Sequence, residues 1–173
     1  MPDTSDTPPG AQLIDDTLMD RTLERARTSP RQRVNHNFHA SYGDHAHRFL
    51  NAWVKGTYVA PHRHIAIPKS ESFLMLRGEL VCFLFDDAGN VRERHILGRN
   101  GVYGIELPPA VWHTLAPLTD IAVCYEVKPG PWDPATDKEF ARWAPLEGDP
   151  RAGAYLEQLL ATLGDERWPQ TAP

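Results

Sequence analysis

Between Val34 and Lys128 the chain is cut into short runs rich in β-branched and aromatic residues, and each run stops at a turn signal. The runs expected as strands are Arg48–Val54, Thr57–His64, Ser70–Leu76, Glu79–Phe85, Val91–Leu97, Val102–Leu107, Trp112–Leu115 and Ile121–Val127. Lys55-Gly56, Pro68-Lys69, Arg77-Gly78, Asp86–Asn90, Gly98–Gly101 and Pro108-Pro109 separate them. None is long enough for a helix of ordinary length, and Asp-Asp-Ala-Gly-Asn between LVCFLF and VRERHIL is a hairpin signal. Eight such strands in succession predict a mainly β fold, an antiparallel sandwich or barrel.

The flanks read differently. Residues 1–12 are acidic and Pro-rich, with no basic or apolar segment of the secretory kind, and are expected as a disordered tail. Residues 13–33 hold a helix and linker: Ile14, Leu18 and Ala26, widened by Met19 and Leu23, recur at helical spacing. Asp15 or Asp16 can cap that helix, and Ser29-Pro30 ends it. After the barrel (34–128), residues 129–164 form a Pro-rich strap anchored by Trp132, Phe140 and Trp143, then a helix over Arg151–Leu163 with Pro150 opening it. Residues 165–173 are expected as a tail.

Composition removes several function classes. The net charge of −5 and the absence of a basic block argue against nucleic acid, and no apolar run reaches the ~18 residues of a membrane helix. The two cysteines, Cys82 and Cys124, sit in separate apolar runs and read as buried hydrophobes of a cytoplasmic protein.

Chemistry concentrates in two stretches. In GTYVAPHRHIAIPKSESFLMLRG, His62 and His64 are two apart, so a strand puts both imidazoles on one face. Glu71 follows across a turn containing Pro68. In GVYGIELPPAVWH, a turn at Pro108-Pro109-Ala110 leads to His113. Three imidazoles and a carboxylate form a mixed nitrogen and oxygen set suited to one divalent transition ion, Fe, Zn, Mn, Ni or Co. The other reading of His-x-His is a pair of surface histidines on an edge strand. His39 and Tyr125 are candidate proton-transfer residues, while Arg63, Lys69, Lys128 and Tyr58 are candidates for binding a ligand. His36, His45, His47 and His95 read as solvated, and Tyr103 as a mouth residue.

Gly56-x5-His62-x-His64-x6-Glu71-x6-Gly78 resembles the first cupin motif, and Pro108-x-Ala110-x2-His113 the second. The resemblance implies a single cupin barrel (a double-stranded β-helix, or jelly roll) with His62, His64, Glu71 and His113 as metal ligands. Three positions depart from the pattern: the gap between His64 and Glu71 is longer than usual, Ala110 stands where Gly is usual, and Pro117 where Asn is. IDDTLMDRTLERARTSPRQR, Asn37-Phe38-His39, Pro61–His64, PKSESF, Leu76–Gly78 and EVKPGPWDPATDKEFARWAP further resemble the WbuC-type cupin-fold metalloproteins. That likeness implies a small polar substrate such as a sugar derivative of surface-polysaccharide (O-antigen) metabolism, acted on by isomerase or epimerase chemistry. An Fe(II)-dependent dioxygenase and a non-catalytic metal-dependent ligand-binding or sensing protein are the alternatives. By analogy a homodimer is also compatible.

Overall fold

The computed structural model describes residues 10–164. Residues 1–9 and 165–173, and so most of the expected N-terminal tail and the whole expected C-terminal tail, lie outside them. In chain order the elements are α1 (Asp16–Thr28), β1 (Arg33–Asn37), β2 (Ala46–Val54), β3 (His62–Arg63), β4 (Glu71–Arg77), β5 (Leu80–Phe85), β6 (Val91–Leu97), β7 (Gly104–Leu107), β8 (Trp112–Pro117), β9 (Ile121–Pro129), β10 (Glu139–Phe140) and α2 (Ala152–Ala161). A short 3-10 turn, Thr162–Gly164, follows.

All strand pairs are antiparallel, in two five-stranded sheets. One runs β1-β2-β9-β4-β7 and the other β10-β3-β8-β5-β6. Apart from the β1–β2 and β5–β6 pairs, consecutive strands alternate between the sheets, and the inner faces enclose a common core of Trp53, Phe73, Leu80, Cys82, Leu97 and Leu115. Each sheet also buries its outer face. Leu18, Met19, Leu23 and Ala26 of α1 cover Leu50, Ala52 and Val123, while Leu156 and Leu159 of α2 cover Val81, Phe83 and Ala116. LVCFLF is therefore apolar throughout because β5 is covered on both sides. Each fully buried Leu in these layers contributes about 1.5–3 kcal/mol.

Local chemistry sets the boundaries. Asp15 caps α1 by accepting from the Leu18 N–H at 2.9 Å, and Ser29 closes it. Ile14, expected on the apolar face, precedes the helix and is exposed. The strand expected over Thr57–His64 shrinks to β3, because Pro61 has no N–H for a ladder and side chains take over the neighbouring carbonyls. Thr114 donates to the Val59 carbonyl at 2.6 Å and Arg33 to that of Tyr58 at 2.8 Å. β1 was not expected, since RVNHN has little strand character. It forms as an edge strand by pairing with β2 from Arg33 opposite Trp53 to Asn37 opposite Phe49. α2 starts later than expected, because the Asp149 side chain accepts from the Arg151 N–H and its carbonyl from that of Ala152, making a turn first. No helix among the described residues is long and apolar enough to cross a membrane.

Candidate metal centre

His62 and His113 face each other as a register pair between β3 and β8. His64 follows β3, and Glu71 opens β4 in the opposite sheet. The long turn between them brings the carboxylate back onto the imidazoles. Ala110 adopts a φ of 67°, the left-handed conformation for which Gly is usual, so the turn before His113 keeps its shape at some strain. All four side chains are buried, and one ligand atom from each lies within 4.8 Å of the others.

The hydrogen bonds around the imidazoles fix their tautomers. His62 Nδ1 meets the Ala60 carbonyl and His113 Nδ1 the Val111 carbonyl, both at 2.9 Å, and His64 Nδ1 meets the Asp137 carbonyl. A carbonyl only accepts, so each Nδ1 carries the proton and each neutral ring presents an Nε2 lone pair. Glu71 Oε2 lies 2.9 Å from His113 Nε2 and 3.1 Å from His64 Nε2. None of these three atoms has a hydrogen-bond partner among the described residues. Two imidazole lone pairs and a carboxylate oxygen this close repel one another unless a cation sits among them. The donor set, its backbone support and its orphaned atoms therefore fit a divalent transition ion.

The electrostatics agree. Burial, with Lys138 and His113 adding to it, holds the His62 imidazole well below its ordinary value, which keeps it neutral for ligation. Burial alone would raise the Glu71 carboxyl, but positive charge beside it, that of Lys128 included, holds it well below the usual range. It is thus an anion with no hydrogen-bonded use for one of its oxygens.

The cluster opens into a cavity of about 1250 Å³ that runs outward along β1 and α1. His39 lines it; its ring stacks on His47 at 4.2 Å and its Nε2 is buried without a partner among the described residues. His47, expected in solvent, is buried because it continues the inward row of Phe49, Asn51 and Trp53 on β2. Lys128 also lines the cavity. Burial would depress its ammonium, but Glu126, Glu71 and Asp137 hold it above its ordinary value.

Several expected residues stand elsewhere. Tyr125 points to the outer face of its sheet, packing on Phe38 beside α1, so it faces away from the metal cluster and does not line the cavity. Tyr58 donates its hydroxyl to the Pro145 carbonyl at 2.7 Å and is absorbed in the α2 layer. Arg63 pairs with Glu139 and Asp87 and lies over Trp112 at 4.2 Å. Lys69 is neither solvated nor free to steer a ligand; it is fully buried against Asp137 at 2.8 Å and the Pro131 carbonyl at 2.7 Å. Tyr103 is exposed, and His95 pairs with Glu93 at 2.8 Å.

Glu126 is a cavity residue that sequence reasoning missed. It accepts from Asn51, and burial raises its carboxyl to about 8 against the pull of Lys128. Its signal was its phase: it shares the inward face of β9 with Cys124 and Lys128, whereas Tyr125 has the other.

A family profile described as a domain of unknown function, DUF6016, matches residues 14–97. No curated protein matches the chain. Among solved structures it is similar to the capsular polysaccharide assembling protein CapF from Staphylococcus aureus, at 20% identity and a TM-score of 0.51. That match covers 60% of this chain and 30% of CapF, so the chain spans under a third of the CapF length. It is also similar to an RmlC-like cupin family protein with a double-stranded β-helix fold from Methanocaldococcus jannaschii (17% identity, 60% of this chain, 86% of that one, TM-score 0.45). A cupin superfamily protein from Desulfitobacterium hafniense matches at 16% identity over 58% of this chain and 79% of its own, with a TM-score of 0.44. This chain is a cupin-fold protein. These likenesses concern the fold, and its site stands on its own geometry.

Proposed function

We propose that this cupin-fold protein is a metal-dependent protein of the WbuC type, in which His62, His64, Glu71 and His113 hold one divalent transition ion. The observation that carries this reading is the convergence of the four ligand atoms, with every imidazole Nδ1 tied to a backbone carbonyl. A divalent ion bound there polarises a carbonyl or hydroxyl oxygen of a ligand.

The ligand is a small polar molecule, because the cavity beside the cluster carries Asn51, Glu126, Lys128, Lys138 and His39 among its walls. A sugar derivative of surface-polysaccharide metabolism is the substrate class we favour. The WbuC-type motifs support it, and CapF, which shares the fold, is named for capsular polysaccharide assembly. Isomerase or epimerase chemistry needs a proton held and moved beside the polarised group. We assign that role to Glu126 and His39, which line the cavity, and not to Tyr125, which does not.

Elemental analysis of tag-free protein, beside a His62→Ala, His113→Ala variant, tests the metal reading. About one transition ion per chain in the first and none in the second is expected, since binding draws on the preformed ligands. No metal in the unaltered protein after reconstitution overturns it. Iron would direct product assays to oxygen-dependent chemistry, and zinc, manganese, nickel or cobalt to sugar isomers. Tight ligand binding without conversion would make the protein a binding or sensing module.

A further inference from the structure

Three of the four lysines in the chain lie at or beside Asp137, two of them, Lys128 and Lys138, lining the cavity, and they are not equivalent. Lys69 Nζ is bonded to Asp137 at 2.8 Å. Lys128 Nζ lies 3.3 Å from the other oxygen of Asp137 and 3.5 Å from Glu71. Lys138, the next residue along the strap, has neither a hydrogen bond nor an ion pair of its own among the described residues. Its side chain lines the cavity together with His62, Glu71, His113 and Glu126.

The position of Lys138 is fixed from both sides. The Asp137 carbonyl takes the Nδ1–H of His64, and the Asp137 N–H bonds the Asp133 carbonyl at 2.8 Å. On the other side Glu139 and Phe140 pair with Arg63 and His62. The backbone thus presents this ammonium to the cavity beside the cluster. Lys138 is half-buried, and a charge that is partly withdrawn from water with no counter-charge of its own favours an anionic ligand. The carboxylates that could supply that counter-charge are otherwise committed: Asp137 to Lys69 and Lys128, Glu126 to Asn51, and Glu71 to the cluster and, at 3.5 Å, to Lys128. A divalent ion in the cluster adds further positive charge to the same cavity. Burial and the charge of Lys128 both lower the Lys138 ammonium, and an anion bound beside it would offset them.

We propose that Lys138 contacts substrate, binding the anionic group (a carboxylate or a phosphate) of a small ligand whose other end faces the His62, His64, Glu71 and His113 cluster. The orientation of that ligand rests on the metal-centre reading, whereas the anion contact does not. The substrate class is thereby narrowed from a small polar molecule to a small anion, such as an acidic or phosphorylated sugar derivative.

The test is lysine labelling of the full chain with N-hydroxysuccinimide acetate at a single pH, read by mass spectrometry. It is run on metal-free and zinc-loaded protein, with inorganic phosphate or succinate as probes. Exposed Lys55 serves as the internal reference. Slower labelling of Lys138 with Lys55 unchanged is the expected result, and the probe that acts tells phosphate from carboxylate. No selective slowing by either probe overturns the proposal. Slowing in a protein that binds no metal would keep the Lys138 contact and reject the metal reading. Metal bound without slowing would do the reverse. Calorimetry gives the second arm: Lys138→Met should weaken binding of the active probe by about 10–100-fold, the usual worth of a charged hydrogen bond, and Lys138→Arg should retain most of it. Unchanged affinity in a folded Lys138→Met protein also overturns the assignment.

Discussion

His64 and Asp137 join the metal cluster to the strap: the backbone carbonyl of Asp137 takes the Nδ1–H of His64, while its carboxylate holds Lys69 at 2.8 Å. One residue therefore orients a ligand imidazole and neutralises a buried lysine. Burial would raise the Asp137 carboxyl, but Lys128 and Lys69 hold it below the ordinary range. The pairing closes the barrel mouth with a segment that has only two strand residues of its own.

Replacing Asp137 separates these roles. Asp137→Ala keeps the backbone carbonyl but strands Lys69, whose side chain is 1% exposed. Removing one partner of a buried ion pair costs about 3–5 kcal/mol. Urea unfolding of the metal-free variant should show a loss of that size, and Lys69→Met added to Asp137→Ala should recover part of it. Equal stability of Asp137→Ala and the unaltered protein would mean that the pair does not hold the strap.

Residue spacing made the cluster legible and left its surroundings hidden. His62, His64 and His113 could be named because two-residue periodicity and a Pro turn state their positions locally. Lys69 could not be placed, because its turn says nothing of Asp137, which lies 68 residues on. Tyr125 stands among the expected proton-transfer residues and Glu126 does not, because IAVCYEV is apolar on both faces and alternation does not declare which side is the interior. Covering layers from α1 and the opposite sheet decide it. β1 was invisible for a related reason, since its strand character comes from β2.

Glu126 should make the metal-free protein sensitive to pH in a direction that a substitution isolates. Its carboxyl is raised from the ordinary 4.5 to about 8, so the folded state holds a proton that the unfolded chain releases. Stability from this residue is complete below 4.5 and is lost as pH rises through about 8. Glu126→Gln keeps an oxygen to accept from Asn51 and has no proton to lose. Its stability relative to the unaltered protein should therefore grow between pH 5 and 8 and level off above, as measured by urea midpoints (pH points chosen to span about the two values). A difference that does not change with pH would show that Glu126 is ionised throughout.

Gly78 closes β4 in a conformation that a side chain resists. Its φ is +70°, and a Cβ there would collide with the backbone carbonyl of Ile121 and the side chain of Thr119. The carbonyl belongs to the start of β9, which pairs with β4, so relief requires two strands to part. Thr119 is no freer, because its hydroxyl donates to the same carbonyl at 2.6 Å and accepts from the Glu79 N–H at 2.9 Å. The left-handed backbone alone costs about 1–3 kcal/mol for a residue other than Gly, and the collision adds to it. Gly78→Ala should lower the urea midpoint accordingly while leaving the metal content of the folded protein unchanged, since Glu71 lies at the opposite end of the strand. Loss of metal at full stability would place the strain at the cluster instead of at the β4–β9 seam.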